Sequence, residues 1–461
     1  MACSRTLLLC TVISLSLAAS ALARPPNNTT QPAAATAVRA GYYFAADAHL
    51  RPLASLEASL YTHLYYFSVD PTLQLPRDPA QARLLSAFSG ALKAQNPALV
   101  TLLSVATQAA SAASAAAAAA DPAFAAMAAD RASRAAFARA AVALARGNGF
   151  DGLDVSWRFP ASALEMAHFG LLLADLRAAA AAAPGFLLTA TVYFSNHVFG
   201  FGVDYPSEAV SRGLDWVNVM AFGLSPPAIA NVTAFDAPLY DAASHFSASY
   251  GVVSWLDAGV PAGKLVLGLP LYGRSWFLRN KANGGVGEPV VAAGPKQQRG
   301  SNAAGAISYA EVQALAAAGA GRAPGPVMTS YDNVSVASYV AVGDVWVAFD
   351  GVAVVAEKLG FAARRGLLGY FLWPVNYDDA NLTVSRRASD VWVQSKVSSD
   401  FRNATAVRQR KAPLELPPAL RSPAPASPPL PVPTSASFSW LSRKKLDTHL
   451  HFAFQECRAA G

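Results

Sequence analysis

The sequence predicts an α/β protein built as a (β/α)8 TIM barrel, with a small α+β insertion subdomain between its seventh and eighth strands. Between Val38 and Val397, short apolar runs alternate with alanine-rich or amphipathic segments, the pattern of parallel strands joined by helical crossovers. Eight such runs can be named, the number that closes this kind of barrel. One spacer, Tyr272 to Arg365, is too long for a single crossover and holds further strand-like runs such as Trp346–Phe349, so it reads as the insertion.

In chain order the strands are expected at Val38–Phe44, Thr62–Val69, Ala98–Val105, Phe150–Ser156, Phe186–Tyr193, Trp216–Ala221, Lys264–Leu269 and Leu367–Trp373. Each is a run of branched or aromatic residues long enough to cross a sheet that is buried on both faces. The spacers are mostly helix-competent. Asp121-Pro122 is a good start for a helix over Ala123–Arg146, because aspartate caps free N–H groups and proline suits the first turn. Gly147-Asn148-Gly149 is a good stop. The alanine tract Ala109–Ala120 carries helix propensity and nothing more specific.

Of the 461 residues, 53% are hydrophobic and only 14% charged, which excludes a chain disordered over most of its length. No stretch beyond the first 25 residues strings together enough strongly apolar residues to span a membrane. Residues 1–23 have the marks of a signal peptide: Arg5, an apolar run from Leu7 to Leu17, and Ala21-Leu22-Ala23 as the cleavage pattern. A secreted, extracellular protein is the expectation, and Cys457 is then the only cysteine of the mature chain, leaving no intramolecular disulfide. Sequons for N-glycosylation stand at Asn27, Asn28, Asn231, Asn333, Asn381 and Asn403.

The formal charge of +7 sits at one end. Residues 402–461 carry nine Lys or Arg against three acids, so the barrel is close to neutral and gives no sign of a nucleic-acid groove. The expected organisation is a leader over 24–37, a barrel over 38–398 with its insertion at about 274–362, and a disordered Pro-rich basic tail over 399–461. Pro413 to Pro433 is too rich in proline for helix or sheet. Arg443-Lys444-Lys445 reads as a solvated charge run.

Chemistry in this fold sits at the C-terminal ends of the strands. The fourth strand closes with Asp151-Gly152-Leu153-Asp154-Val155-Ser156-Trp157-Arg158, where positions 152, 154, 156 and 158 share one face if the strand alternation holds. This segment resembles the D-G-x-D-x-D-W-E signature of glycoside hydrolase family 18, the chitinases, and in particular its plant class V branch. The resemblance runs over nearly all of Val38–Trp392. Its other landmarks include Asp215-Trp216-Val217-Asn218-Val219-Met220-Ala221-Phe222, Leu267-Gly268-Leu269-Pro270-Leu271-Tyr272-Gly273 and Gly369-Tyr370-Phe371-Leu372-Trp373.

The resemblance implies substrate-assisted hydrolysis, in which a glutamic acid protonates the glycosidic oxygen and an aspartate orients the substrate's N-acetyl group. Here Asp151 and Asp154 match, but Ser156 replaces the last aspartate and Arg158 the glutamate. A guanidinium stays protonated and offers no acceptor, so Arg158 cannot cycle a proton. The family's Met-Ala-Tyr-Asp appears as Met220-Ala221-Phe222-Gly223, which removes a hydroxyl and another carboxylate. The motif is thus degenerate, with no intact catalytic set, and the barrel is expected to bind rather than cut.

By the resemblance, Trp373 floors the cleft beneath a bound sugar, with Tyr42, Phe67, Met220, Phe222, Tyr272 and Trp276 as candidates to complete the lining. Packing of the barrel top is the plainer reading for Phe67, Phe222 and Trp276. Asp154 has two readings, an ion pair with Arg158 that fills the former pit or a contact to ligand. Three functional classes stay open: a lectin for chitooligosaccharide or another N-acetylglucosamine-containing glycan, a hydrolase with a displaced acid at Glu165 or Asp204, and a scaffold for a protein partner with a blocked cleft. No motif calls for a metal or an organic cofactor.

Overall fold

Eight parallel strands close a barrel in the computed structural model, which describes residues 37–107, 120–225, 231–297, 304–322 and 328–396. They are β1 (Val38–Phe44), β2 (His63–Val69), β3 (Val100–Val105), β4 (Gly152–Val155), β5 (Leu187–Val192), β8 (Trp216–Val219), β9 (Leu265–Pro270) and β16 (Gly369–Trp373). A short hairpin, β6 (His197–Val198) with β7 (Val203–Asp204), leaves the end of β5. Each barrel strand pairs with the next in sequence, and β16 closes on β1 with Val38 opposite Gly369. All eight expected runs are strands, within two residues at each end. The near-continuous burial of each run is what a sheet covered on both faces requires.

Five helices start where short polar side chains satisfy free N–H groups. Asp78 caps α1 (Pro79–Gln95), Asp121 caps α2 (Pro122–Ala129), Ser162 caps α4 (Ala163–Ala180) and Ser247 caps α6 (Ala248–Asp257). The helix expected over Ala123–Arg146 is two helices. Asp130 leaves the helical conformation and accepts from Ser133 N, which ends α2 and starts α3 (Arg131–Gly147). An aspartate inside an alanine-rich run competes for backbone N–H groups, and here that competition wins. The short α5 (Ser207–Gly213) leads into β8.

The insertion begins at once after the seventh barrel strand. β10 (Tyr272–Leu278) follows β9 after a single residue and enters an antiparallel sheet with β11 (Val290–Ala293), β15 (Val345–Phe349), β14 (Ala337–Val342) and β13 (Met328–Asp332). β12 (Ala306–Ser308) pairs with β10, and α7 (Tyr309–Arg322) follows it. The α+β character is as expected. The subdomain ends at β15, because the next helix, α8 (Val352–Arg364), packs on β16 as a barrel helix. Trp276 lies in this sheet's own core against Trp346 and Tyr339, and is 0% exposed. It does not line the barrel mouth, which corrects the expected role: six residues past the barrel strand, the chain already belongs to another sheet.

The expected signal peptide, the leader except Ala37, the alanine tract except Ala120, the Pro-rich tail, Cys457 and the sequons at Asn27, Asn28 and Asn403 lie outside the described residues. Among the described residues no helix is long and apolar enough to cross a membrane.

His63, at the opening of β2, gives the fold a pH signature. Burial lowers its imidazole from 6.5 to about 4, against an opposing pull from Asp151, and Thr62 Oγ1 lies 2.8 Å from its Nδ1. On acidification the unfolded chain therefore takes up this proton before the folded one does. The stability it carries is complete above pH 6.5 and is lost as the pH falls toward 4, by roughly 3 kcal/mol. Denaturant unfolding of the wild type and His63→Gln at several pH values checks this: the difference between the two curves should shrink across that window. A constant difference would refute it.

Candidate functional site

The mouth of the barrel is built from strand ends. Gly152 lets β4 lie close against β5, since a Cβ there would meet Leu187 O at 2.7 Å. From β4, Asp154 points into the barrel and is 0% exposed. Its Oδ2 accepts from Ser104 Oγ at 2.8 Å, Thr191 Oγ1 at 3.0 Å and Tyr42 Oη at 3.1 Å. Its Oδ1 accepts from Thr189 Oγ1 at 2.8 Å and Asn218 Nδ2 at 3.4 Å. Burial raises this carboxyl above the ordinary range, and the hydroxyl donors pull the other way. Burial also pushes the Tyr42 hydroxyl well up, so it remains a neutral donor. Tyr42 stacks flat on Tyr65 at 4.2 Å, and Asn218 Nδ2 reaches both phenols.

Arg158 does not pair with Asp154, contrary to the ion-pair reading. The strand ends at Val155, so its alternation does not carry through to position 158. The guanidinium turns to Met220, donating from Nη1 to Sδ at 3.6 Å, and its Cζ lies 5.7 Å from the centre of the Trp373 ring. It is 6% exposed, and burial pulls its pKa down to about 10, so it is still a cation at neutral pH. Ser156 Oγ is buried without a partner among the described residues.

The structure brings Trp373, Tyr42, Phe67 and Phe222 together. Trp373 has ring neighbours Tyr42 at 4.8 Å, Phe67 at 4.9 Å, Phe44 at 5.0 Å and Phe222 at 5.8 Å. Phe371 supports Phe222 from below at 6.0 Å, in space kept by Gly268, whose Cβ would come within 2.6 Å of both rings. Trp373 is 4% exposed, so with Arg158 over it the ring is closed to solvent in this conformation. Phe44, Phe371 and Tyr65 were not singled out from the sequence, because nothing in a buried strand's pattern separates a mouth aromatic from a core one.

Asp236 is the main residue that sequence reasoning missed. From a loop that carries no motif, its Oδ2 accepts from Gly223 N at 3.0 Å and Tyr272 Oη at 2.9 Å, while its Oδ1 lies 3.3 Å from Arg274 Nε. A carboxylate thus stands beside the backbone of Gly223, where the family motif would carry one on its own side chain. Arg274 in turn lies over the Tyr272 ring at 4.9 Å. The only available signal was indirect: a lost carboxylate at position 223 invites a search for a replacement.

The proposed displaced acids have other duties. Glu165 accepts from Ala161 N at 2.8 Å at the start of α4, and Asp204 lies 2.7 Å from His197 in the β6–β7 hairpin. The carboxylate whose field acts on Arg158 is Asp121, held by Thr107 Oγ1 at 2.8 Å. Asp151 faces outward, accepting from Thr101 N at 2.8 Å and pairing with Lys93. Among the described residues no group of His, Cys, Asp and Glu could hold a metal ion.

Comparison with known proteins agrees with this architecture. The family model described as glycosyl hydrolases family 18 matches residues 38–378. A class V chitinase of Arabidopsis thaliana is 34% identical over 369 residues, covering 78% of this chain and 90% of that protein. Among solved structures, a family 18 chitinase from Cycas revoluta in complex with (GlcNAc)3 matches with a TM-score of 0.68 at 34% identity, over 77% of this chain and 100% of that one. A chitinase-like agglutinin from Robinia pseudoacacia matches with a TM-score of 0.64 at 30% identity, over 77% and 100%. With the match running from the first barrel strand to the residues just past the last, and the closed eight-stranded barrel beneath it, the chain belongs to glycosyl hydrolase family 18.

Proposed function

We propose that the protein is a secreted, non-hydrolytic glycan-binding member of its family, recognising N-acetylglucosamine-containing oligosaccharides at the barrel mouth. The observation that carries this reading is Arg158: at the position of the family's general acid stands a permanent cation, lying on the ring of Trp373. Structure neighbours hold (GlcNAc)3 and (GlcNAc)4, and one is described as an agglutinin, which supports a glycan ligand without requiring cleavage. The rim offers further aromatic surface. His245, in the loop before α6, stacks on Tyr250 of that helix at 4.5 Å, and Phe199 of the β6–β7 hairpin lies 6.0 Å from Tyr250. Ring faces of this kind suit the C–H face of a pyranose. Exposed sequons at Asn231, Asn333 and Asn381 fit passage through the secretory route.

Calorimetric titration of the purified protein with chitohexaose, with product analysis of the same samples, tests the proposal. Heat without product is the expected result. Product release would sink the non-hydrolytic reading. The 4% exposure of Trp373 favours a second reading, a scaffold that binds a protein partner with its cleft closed; absence of both heat and product would move the weight there.

A further inference from the structure

The guanidinium of Arg158 is used on one side only. Nη1 donates to Met220 Sδ, while Nε and Nη2 are buried and have no partner among the described residues. These two nitrogens form one edge of the planar group, with parallel N–H bonds spaced to meet two oxygens of one acceptor. A buried cation with that edge unmet is expensive to keep, and a hydrophobic side chain of similar length would cost less. The thioether at Nη1 is a weak acceptor and does not offset the loss of water. The ionisable groups whose field acts on it are Tyr272, Asp121 and Tyr205. The Asp121 carboxylate is itself held by Thr107 Oγ1 and Phe124 N, and it makes no ion pair with Arg158.

We infer that the Nε/Nη2 edge of Arg158 is a receptor for a planar carboxylate, and that the sugar seated at the pit is an acidic one, a uronate residue. The inference rests on the glycan-binding reading and names the ligand class for its innermost position. The guanidinium lies over the Trp373 ring, 5.7 Å from its centre, and the field of the half-buried Tyr272 also reaches it. A neutral N-acetylhexosamine cannot satisfy both N–H groups with one rigid two-oxygen acceptor, whereas a uronate can. Substitution of the family's acid by arginine then exchanges proton donation for recognition of negative charge.

The test is calorimetric titration of the full chain with a galacturonate trisaccharide, with chitotriose and with sodium sulfate, for wild type, Arg158→Lys and Arg158→Met. The expected result is at least tenfold tighter binding of the uronate than of chitotriose. Arg158→Lys, which keeps charge and loses the fork, should weaken it about tenfold, and Arg158→Met should abolish it while both variants retain wild-type circular dichroism. Equal binding of uronate in Arg158→Met overturns the inference, as does sulfate competing as well as uronate. Chitooligosaccharide binding without any preference for uronate overturns it too, and leaves the glycan-binding proposal standing. No binding of any sugar would bring down both.

Discussion

Arg158→Glu, made alone, will release no measurable product from chitohexaose. A restored glutamate supplies general acid catalysis, typically worth roughly 10²–10⁴-fold, but it arrives in a site that no longer holds the reacting group. Ser156 has no carboxylate to orient an acetamido group, and Phe222 offers no hydroxyl to it. The Asp154 carboxylate is already saturated by five donors within the barrel. The new side chain would also lie against Met220 and Trp373, where burial raises its pKa without positioning it. Activity should rise only when Ser156→Asp, Phe222→Tyr and Gly223→Asp with Asp236→Ala accompany it, and the increments should be far from additive. Turnover restored by Arg158→Glu alone, measured by chromatography of the oligosaccharide products, would show that the rest of the constellation is intact.

The two members of the old signature should respond to truncation in opposite directions. Asp154→Ala strips the acceptor from Ser104, Thr189, Thr191, Tyr42 and Asn218 at once, deep in the barrel. Each buried donor left unmet costs about 1–3 kcal/mol, and partial rearrangement of the hydroxyls keeps the total near 3–5 kcal/mol. Asp154→Asn preserves part of the network and should cost less. Arg158→Met removes a buried cation with an unmet edge and fills similar volume, so it should be neutral or stabilising by about 1–4 kcal/mol. Guanidinium unfolding of the three variants decides the matter. A mild Asp154→Ala or a strongly destabilised Arg158→Met would contradict the picture of a satisfied aspartate beside an unsatisfied arginine.

The barrel was legible in the sequence because every strand is buried on both faces and so shows as an apolar run against its flanks. The α+β character of the insertion was also visible, from its length and its strand-like runs. What escaped depended on direction after a strand had ended. Arg158 was read as continuing the face of Asp154, and Trp276 as continuing the mouth lined by Tyr272; in both cases the chain had already turned away. Asp130 hid as a helix break because its neighbours favour helix so strongly. Asp236 could not be found by spacing, since only tertiary folding brings its loop to Gly223.

That placement bears on how such a protein changes over time. Position 223 is a glycine, and the Asp236 carboxylate stands beside its backbone, tied to Tyr272 and Arg274. A lineage that regained aspartate at 223 would bring two like charges together, and would also ask a side chain to adopt the left-handed backbone that glycine holds there, at φ 73°. The residue that the family motif carries at this position would thus be a harmful one here. Placing a carboxylate at 223 therefore takes at least two changes at once, one there and one at Asp236, so the residues that share this space hold each other's identity fixed.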